Sequence, residues 1–440
     1  MSDLWTRLTL GTYRMVGRVM YPFMGPFLHV RARRGKEDRR RRYERYGYPS
    51  ADKPDGPLVW FHAASVGESM AVLPLIEHIH GLGIHTVMTT GTVTSAEVVR
   101  KRLPRATFHQ YVPLDLEQAV NRFLDHWKPD LAIFTESEIW PTTIEQLKLR
   151  RIPQVLVNAR MSDRSYKRWS GAAKLAESLF DRFSHVIAQS EIDADRFRKL
   201  GARPVTVSGN MKVDTPKLPV NPQELADMRT AIAGRPAWIA ASTHKGEEEI
   251  ILKTHLRLAK ELPGLLTILV PRHPDRGDDV EALVHQSGLQ IARRSRREAI
   301  RKVTDVFLGD TIGEMGLYLR LAPVCFMGRS LTAEGGQNPL EPAMTGTAII
   351  SGSRVSNFRE TYSQLNDKGG VVLVEDADQL AENVKFLLCN AGKRHEMATA
   401  AGEALVEMAG ALMRTVEVLD SYVFPLMVKR KLEEINDGGQ

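Results

Sequence analysis

From Pro57 onward the chain alternates short apolar runs with amphipathic stretches, and it keeps that rhythm almost to its end. Apolar runs at 57–62, 85–90, 108–112, 130–136, 153–158, 185–189 and 204–208 predict seven strands. A second set at 237–241, 265–270, 288–292, 303–308, 323–327, 347–351 and 370–374 predicts seven more. Helical periodicity separates most of them, which means βαβ units and mostly parallel sheets covered on both faces. Residues 209–223 break the rhythm with three prolines and no period, as a linker does. Helical segments at about 377–416 and 418–435 close the chain. The expected fold is α/β: two doubly wound, Rossmann-like domains, 47–209 and 224–420, facing each other across a cleft. The linker is placed at 210–223, a leader at 1–46, and a C-terminal helix and tail at 421–440.

The leader departs from this pattern. Residues 4–30 are rich in Leu, Met, Val, Tyr, Phe and Trp, with Arg7, Arg14 and Arg18 spaced to share one helical face. Its longest charge-free run, Val19 to Val30, has 12 residues and contains Pro22, Gly25 and Pro26. A spanning helix needs about 20 apolar residues. The segment therefore reads as an amphipathic helix lying in a membrane interface. Residues 31–46 then hold nine basic side chains against three acidic ones, a net of +6. The whole chain carries +7 and residues 1–30 contribute +2, so residues 47–440 sum to −1. The basicity belongs to the leader, where it suits an anionic leaflet or an anionic lipid. Charge alone would also suit nucleic acid, but the apolar run before it would not, and no nucleic-acid partner is expected. Cys325 and Cys389 stand far apart with no Cys/His cluster, so neither a disulfide framework nor structural zinc is expected.

Chemistry concentrates at the predicted strand ends. Trp60-Phe61-His62-Ala63-Ala64-Ser65-Val66-Gly67-Glu68 carries a strand into a helix, where ligands bind in open α/β sheets. Glu68 there is either a complement to the helix dipole or a catalytic carboxylate. Thr135-Glu136-Ser137-Glu138-Ile139-Trp140-Pro141 offers two carboxylates before a helix, either as caps (Ser137 or Glu138) or as a polar rim for substrate hydroxyls or amines. Asn158-Ala159-Arg160-Met161-Ser162-Asp163-Arg164 ends a strand with two arginines, suited to a carboxylate or phosphate, or to an ion pair with Asp163.

In the second half, Ser242-Thr243-His244-Lys245-Gly246-Glu247 and Pro271-Arg272-His273-Pro274 put hydroxyls and cations at two strand ends, a setting for phosphate. Gly309-Asp310-Thr311-Ile312-Gly313-Glu314-Met315-Gly316 follows another strand. Gly335-Gly336-Gln337-Asn338-Pro339-Leu340-Glu341-Pro342 then enters a helix, its paired glycines allowing close approach to a ligand. Asn338 and Glu341 share a face of that helix start, and Glu341 could accept both hydroxyls of a ribose. A P-loop is missing, and so is a strict G-x-G-x-x-G after the first strand, which argues against dinucleotide redox chemistry.

These motifs, in this order, resemble the 3-deoxy-D-manno-octulosonic acid (Kdo) transferases of Gram-negative lipopolysaccharide synthesis, over about residues 57–420. The resemblance implies the GT-B glycosyltransferase fold and transfer of Kdo from CMP-Kdo to lipid IV-A at the cytoplasmic face of the inner membrane. It implies an inverting, metal-independent reaction without a cofactor, with Glu68 as general base and closure of the cleft as its gate. Ser69, Glu138, Arg160, Arg39 and Arg42 fall to the acceptor side. Ser242, Thr243, His244, Lys245, Arg272, His273, Gly313, Glu314, Met315, Gly336, Gln337, Asn338 and Glu341 fall to the donor: Arg272 at the phosphate, Gly313 to Met315 at cytidine, Asn338 and Glu341 at donor phosphate and ribose. The family more often has His where this chain has Gln337, and Gln cannot titrate. The alternatives are a GT-B enzyme with another donor, a nucleotide-sugar epimerase of this architecture, which would need neither lipid acceptor nor basic leader, and a non-catalytic membrane adaptor.

Overall fold

The computed structural model describes residues 2–105, 107–215, 218–232 and 234–437. Pro216 and Lys217 of the expected linker and residues 438–440 of the expected tail lie outside the described residues, as do the side chains of Asp3 and Arg7. The chain divides into two compact units, residues 1–215 with 409–440, and residues 216–408.

The first unit holds a seven-stranded parallel sheet in the order β3-β2-β1-β4-β5-β6-β7. Its strands are β1 (Leu58–Ala63), β2 (His85–Thr90), β3 (Phe108–Tyr111), β4 (Leu131–Thr135), β5 (Gln154–Ala159), β6 (His185–Ala188) and β7 (Val205–Val207). Every residue of β1, β4 and β5 is buried, which is why these strands read as continuous apolar runs. Side chains alternate between two cores: Leu58 and Trp60 join Phe123, Trp127 and Phe134 on one face, while Val59 and Phe61 join Ile76 and Ile133 on the other. The order reverses between β1 and β4, so the loops leaving their carboxyl ends diverge and open a crevice there.

The second unit repeats the plan in the order β10-β11-β9-β8-β12-β13-β14. These are β8 (Ala237–Thr243), β9 (Leu266–Pro271), β10 (Ile291–Arg293), β11 (Val306–Leu308), β12 (Val324–Met327), β13 (Ala348–Gly352) and β14 (Val371–Val374). Its reversal lies between β8 and β12. All fourteen expected strands are present among the described residues, displaced by at most a few residues.

Three expectations are corrected. The closing segment is three helices, Ala377–Cys389, Ala391–Met408 and Ala411–Asp437, and the last belongs to the first unit, so residues 409–420 do not belong to the second. Asp214 secures it by accepting the Gly410 and Leu412 N–H groups at 2.9 and 2.7 Å. Arg414 donates to the Ser208 carbonyl at 2.7 Å, and Tyr422 to that of Ser184 at 2.9 Å. Val416, Leu419 and Val423 complete the core face that β1 shares with Ile76.

Second, the basic cluster expected to suit an anionic leaflet or lipid does not turn all nine of its cations outward. Arg45 is buried against Glu37 and donates to the Gly91 and Val112 carbonyls; Arg41 grips the fully buried Glu44 at 2.7 Å. The acids interleaved with the arginines pull these two inward, leaving Arg33, Arg34, Lys36, Arg39, Arg40 and Arg42 exposed.

Third, the leader is two helices, Ser2–Met20 and Met24–Arg33, joined by a 3-10 turn at Tyr21–Phe23. Its polar side faces the protein: Tyr13 donates to Asp115 at 3.1 Å, Arg18 to Glu117 at 2.9 Å, and Arg14 lies 3.8 Å from Glu145. Met15, Val16, Val19, Met20, Phe23, Phe27 and Val30 are left exposed. No helix among the described residues is long and apolar enough to cross a membrane.

Asp214 supplies two acceptors to the start of the last helix, which no local side chain replaces. Asp214→Ala is expected to lower first-unit stability by about 1 kcal/mol, read from urea unfolding; an unchanged midpoint would show the helix held by its apolar face alone.

Candidate active site

Glu68 stands where β1 ends and the helix Val66–Gly81 begins. Ser65 is the N-cap, its hydroxyl accepting the Glu68 N–H at 3.3 Å. The Glu68 carboxylate reaches back: Oε1 accepts from Ser65 Oγ at 2.8 Å and Oε2 from the Ala64 N–H at 2.9 Å. This is a capping box displaced by one residue, so the structural role of Glu68 is real. It leaves the carboxylate unsaturated, because each oxygen takes one donor of the two it can accept. Burial, followed by the charges of Glu136 and Glu138, raises its pKa above the ordinary carboxylate value.

Those two carboxylates come from the end of β4, across the reversal. Glu136 adopts a left-handed backbone with φ of 58°, costing about 1–3 kcal/mol in a non-glycine residue. Its carboxylate pairs with Lys212, from the 3-10 turn Met211–Asp214. Asn158, also left-handed at φ of 50°, fixes that turn by accepting the Met211 N–H at 3.0 Å. Glu138 accepts from Trp140 Nε1 at 2.8 Å and meets His62 Nε2 at 3.3 Å. His62 is buried at the end of β1, its Nδ1 2.9 Å from the Thr89 hydroxyl. Burial alone would raise Glu138, but His62 and Trp140 outweigh it and hold the group below the usual range. Neither Ser137 nor Glu138 caps the next helix, which starts at Pro141 without a side-chain cap. Two neighbouring carboxylates are thus tuned in opposite directions.

The other residues expected on the acceptor side are scattered. Ser69 is fully buried and its hydroxyl has no partner among the described residues, so it is closed to a ligand in this structure; it follows Glu68 by one position, which turns it into the core. Arg160 is half-buried beside the site, its carbonyl accepting from Ser137 at 2.7 Å. Asp163 is held by Arg196. Arg39 and Arg42 are exposed in the leader.

In the second unit the expected donor residues follow β8, β9, β11 and β12. Ser242 is left-handed at φ of 56°, and the buried Thr243 hydroxyl donates to Glu248 at 3.1 Å. These two shape the loop from within. Lys245, Arg272 and His273 are exposed at the strand ends, and the His244 and His273 rings lie 5.7 Å apart. Glu314 is engaged by its own unit: Arg294 donates at 3.0 Å, with Thr311 and Tyr318 also bonded to it, and Arg294 first among them holds it below the usual carboxylate range. Gly313 has φ of 85°, and Met315 opens the short helix Met315–Tyr318.

The paired glycines serve a different approach from the one expected. A Cβ on Gly335 would lie 2.5 Å from Asn357 Nδ2, and one on Gly336 2.9 Å from the Val355 backbone. They admit a neighbouring loop of the chain, not first of all a ligand. Asn338 accepts the Leu340 N–H at 3.2 Å and so supports the helix Leu340–Thr345, with Glu341 in its first turn; Gln337 accepts from the Tyr362 hydroxyl through its carbonyl at 3.0 Å. Sequence reasoning missed Lys212, the pairing of His62 with Glu138, and Glu247, a buried carboxylate described below. Lys212 lay in a stretch read as linker, and Glu247 in a run of three acids that reads as dipole complement.

Comparison with known proteins bears on this geometry. Residues 40–215 match the family described as 3-Deoxy-D-manno-octulosonic-acid transferase (kdotransferase). The chain is 38% identical over 407 residues to the 3-deoxy-D-manno-octulosonic acid transferase of Haemophilus influenzae, spanning 91% of this chain and 95% of that one. It is 32% identical over 432 residues to the enzyme of the same name from Bordetella pertussis, at 94% and 99% coverage. Among solved structures, a glycosyltransferase from Rickettsia africae aligns with a TM-score of 0.59 at 11% identity, over 84% of this chain and 99% of that one. A UDP complex of S. aureus MnaA aligns equally, 0.59 at 12% identity over 83% and 97%. The last two speak for the fold alone, a two-domain α/β architecture of GT-B type.

The raised pKa of Glu68 has a signed consequence for stability. The folded state binds its proton more tightly than the unfolded one, so ionisation costs stability as pH rises from the ordinary value of 4.5 through the raised one. Glu68→Gln should therefore gain on the native protein as pH rises from about 4 to 8 in thermal unfolding. A variant that instead loses ground at high pH would mark Glu68 as a purely structural anion.

Proposed function

The chain belongs to the Kdo transferase family, glycosyltransferases of lipopolysaccharide synthesis, and from that premise we propose that it moves Kdo from CMP-Kdo to lipid IV-A with Glu68 as general base. The observation that carries the mechanism is the opposite tuning of Glu68 and Glu138 at the β1/β4 reversal. An acceptor hydroxyl gives its proton to Glu68 as its oxygen attacks the anomeric carbon of Kdo; the bond from that carbon to the phosphate oxygen breaks, and CMP departs with the electron pair. Attack opposite the leaving group inverts the anomeric centre. A base with its pKa raised toward the working pH takes that proton more readily than an ordinary carboxylate. Glu138, kept ionised by His62 and Trp140, orients acceptor hydroxyls without competing for the proton, with Arg160 beside it.

On the donor side, Arg272 and Lys245 are exposed cations at two adjoining strand ends of the second unit and would receive the charge of the departing phosphate, so this route enlists side chains rather than a metal or cofactor. His244 and His273 lie beside them. Gly313, Met315, Gly336, Asn338 and Glu341 are assigned to the nucleotide through the family resemblance.

The leader supports a place on the cytoplasmic face of the inner membrane. With Arg14 and Arg18 turned to the protein, the outward side is apolar, Val19 and Phe23 being 62% and 61% exposed. The exposed cations of residues 33–42, Arg39 and Arg42 among them, suit anionic lipid, including the two phosphates of lipid IV-A.

Two experiments test this reading. Glu68→Gln should abolish transfer to lipid IV-A, followed by mass analysis of the lipid product, while leaving CMP-Kdo binding nearly intact; normal turnover would remove Glu68 from the role of base. Replacing Val19, Phe23 and Phe27 together with Ser should release the protein from anionic vesicles in sedimentation, and undiminished binding would show that the leader is not the anchor.

A further inference from the structure

At the β8/β12 reversal the backbone amides are already spoken for. The fully buried Glu247 accepts the N–H groups of Arg329, Ser330 and Leu331 at 2.6, 2.8 and 3.2 Å, and that of His244 at 3.0 Å. A loop after a central strand would ordinarily offer such amides to a phosphate. Here a carboxylate of the chain has taken them, and an anion bound at this place needs another donor.

The candidate is Arg329, the second residue after β12. Gly328 brings β12 against β8 so closely that a Cβ would lie 2.7 Å from the Ser242 carbonyl oxygen, and the turn then forces Arg329 into the left-handed region at φ of 56°. The glycine loop closes on the same residue. Gly336 donates its N–H to the Arg329 carbonyl at 2.8 Å, and a Cβ on Gly335 would lie 3.4 Å from Arg329 Nε. The side chain is half-buried, and among the described residues its guanidinium makes no hydrogen bond, ion pair or ring contact. It faces His244, whose pKa burial lowers first and the charges of Arg329 and His273 lower further. Arg272 lies at the end of β9, its N–H bonded to the Thr243 carbonyl at 3.0 Å. A solvated surface arginine has no need of a left-handed backbone. A half-buried, unpaired guanidinium at a strand-end crevice matches the two-pronged geometry of an oxyanion.

We propose that Arg329 is a binding residue for the phosphate of the CMP donor, supplying the contact that Glu247 denies to the loop amides. The assignment rests on the reading that the donor is CMP-Kdo. It is tested by calorimetry with the full chain, using CMP, cytidine and CMP-Kdo as probes. Arg329→Asn and Arg329→Gly keep a residue at home in the left-handed region, so neither should lower the melting temperature. Both should weaken CMP by about tenfold to a hundredfold, the range for hydrogen bonds to a charged group, and leave cytidine unchanged; Arg329→Lys should recover part of the loss.

If the native protein binds CMP and the variants bind it equally, Arg329 is not a phosphate ligand, even where CMP-Kdo alone weakens, which would assign it to the sugar carboxylate. Equal losses for CMP and cytidine would overturn the assignment by placing the effect at the nucleoside. If the native protein binds neither CMP nor CMP-Kdo, the donor reading falls first and this assignment falls with it.

Discussion

Both units rest on carboxylates that collect backbone amides where parallel strands part company. At a reversal of strand order the loops turn away from each other, and the N–H groups facing the gap lose the neighbour that a continuing ladder would supply. Leaving one buried and unpaired costs about 1–3 kcal/mol. In the second unit Glu247 meets four of them. In the first, Glu68 meets that of Ala64 at 2.9 Å. The device is shared but its saturation differs. A carboxylate has about four acceptor sites; Glu247 has filled them and is confined to structure, whereas Glu68 takes two donors and keeps capacity for a third partner.

The strands were legible because a parallel strand covered on both faces has no polar side to betray its period; Leu58 to Phe61 could be read in no other way. The reversals were legible as places where chemistry gathers, since each motif follows an apolar run. What escaped was anything decided by a partner distant in sequence. Nothing in Ala411–Asp437 says which sheet it covers; Asp214, Ser208 and Ser184 decide that, and they lie about 200 residues away. The arginines of residues 31–45 look alike in sequence, yet Glu37 and Glu44 draw two of them into the protein and leave others outside. Gly335 and Gly336 signal close approach correctly, but not what approaches.

The leader shows the same ambiguity at larger scale. Its hydrophobic and basic residues predict an amphipathic helix in a membrane interface, and in the structure Arg14 and Arg18 find acids on the protein while the apolar residues face out. Ion pairs this exposed contribute little each. Tyr13 adds a contact to a buried group, because Asp115 also holds the Thr142 and Thr143 amides and would otherwise be left with an unused acceptor. Orientation thus follows from a few polar contacts, while the exposed apolar side is what remains to be covered by something else.

The dipole alone and the surroundings of Glu68 act on its pKa with opposite signs. A glutamate whose only task is to complement a helix dipole is stabilised as the anion, and its pKa falls. The capping bonds from Ser65 and Ala64 push the same way. Glu68 nevertheless sits above the ordinary value, because burial and the charges of Glu136 and Glu138 outweigh both. Ionising Glu68 therefore costs the folded state stability. It does so beside Glu138, whose pKa its partners shift in the opposite direction. Such a cost is often found where ionisation is used, and the capping bonds that fix the carboxylate in place are compatible with that use.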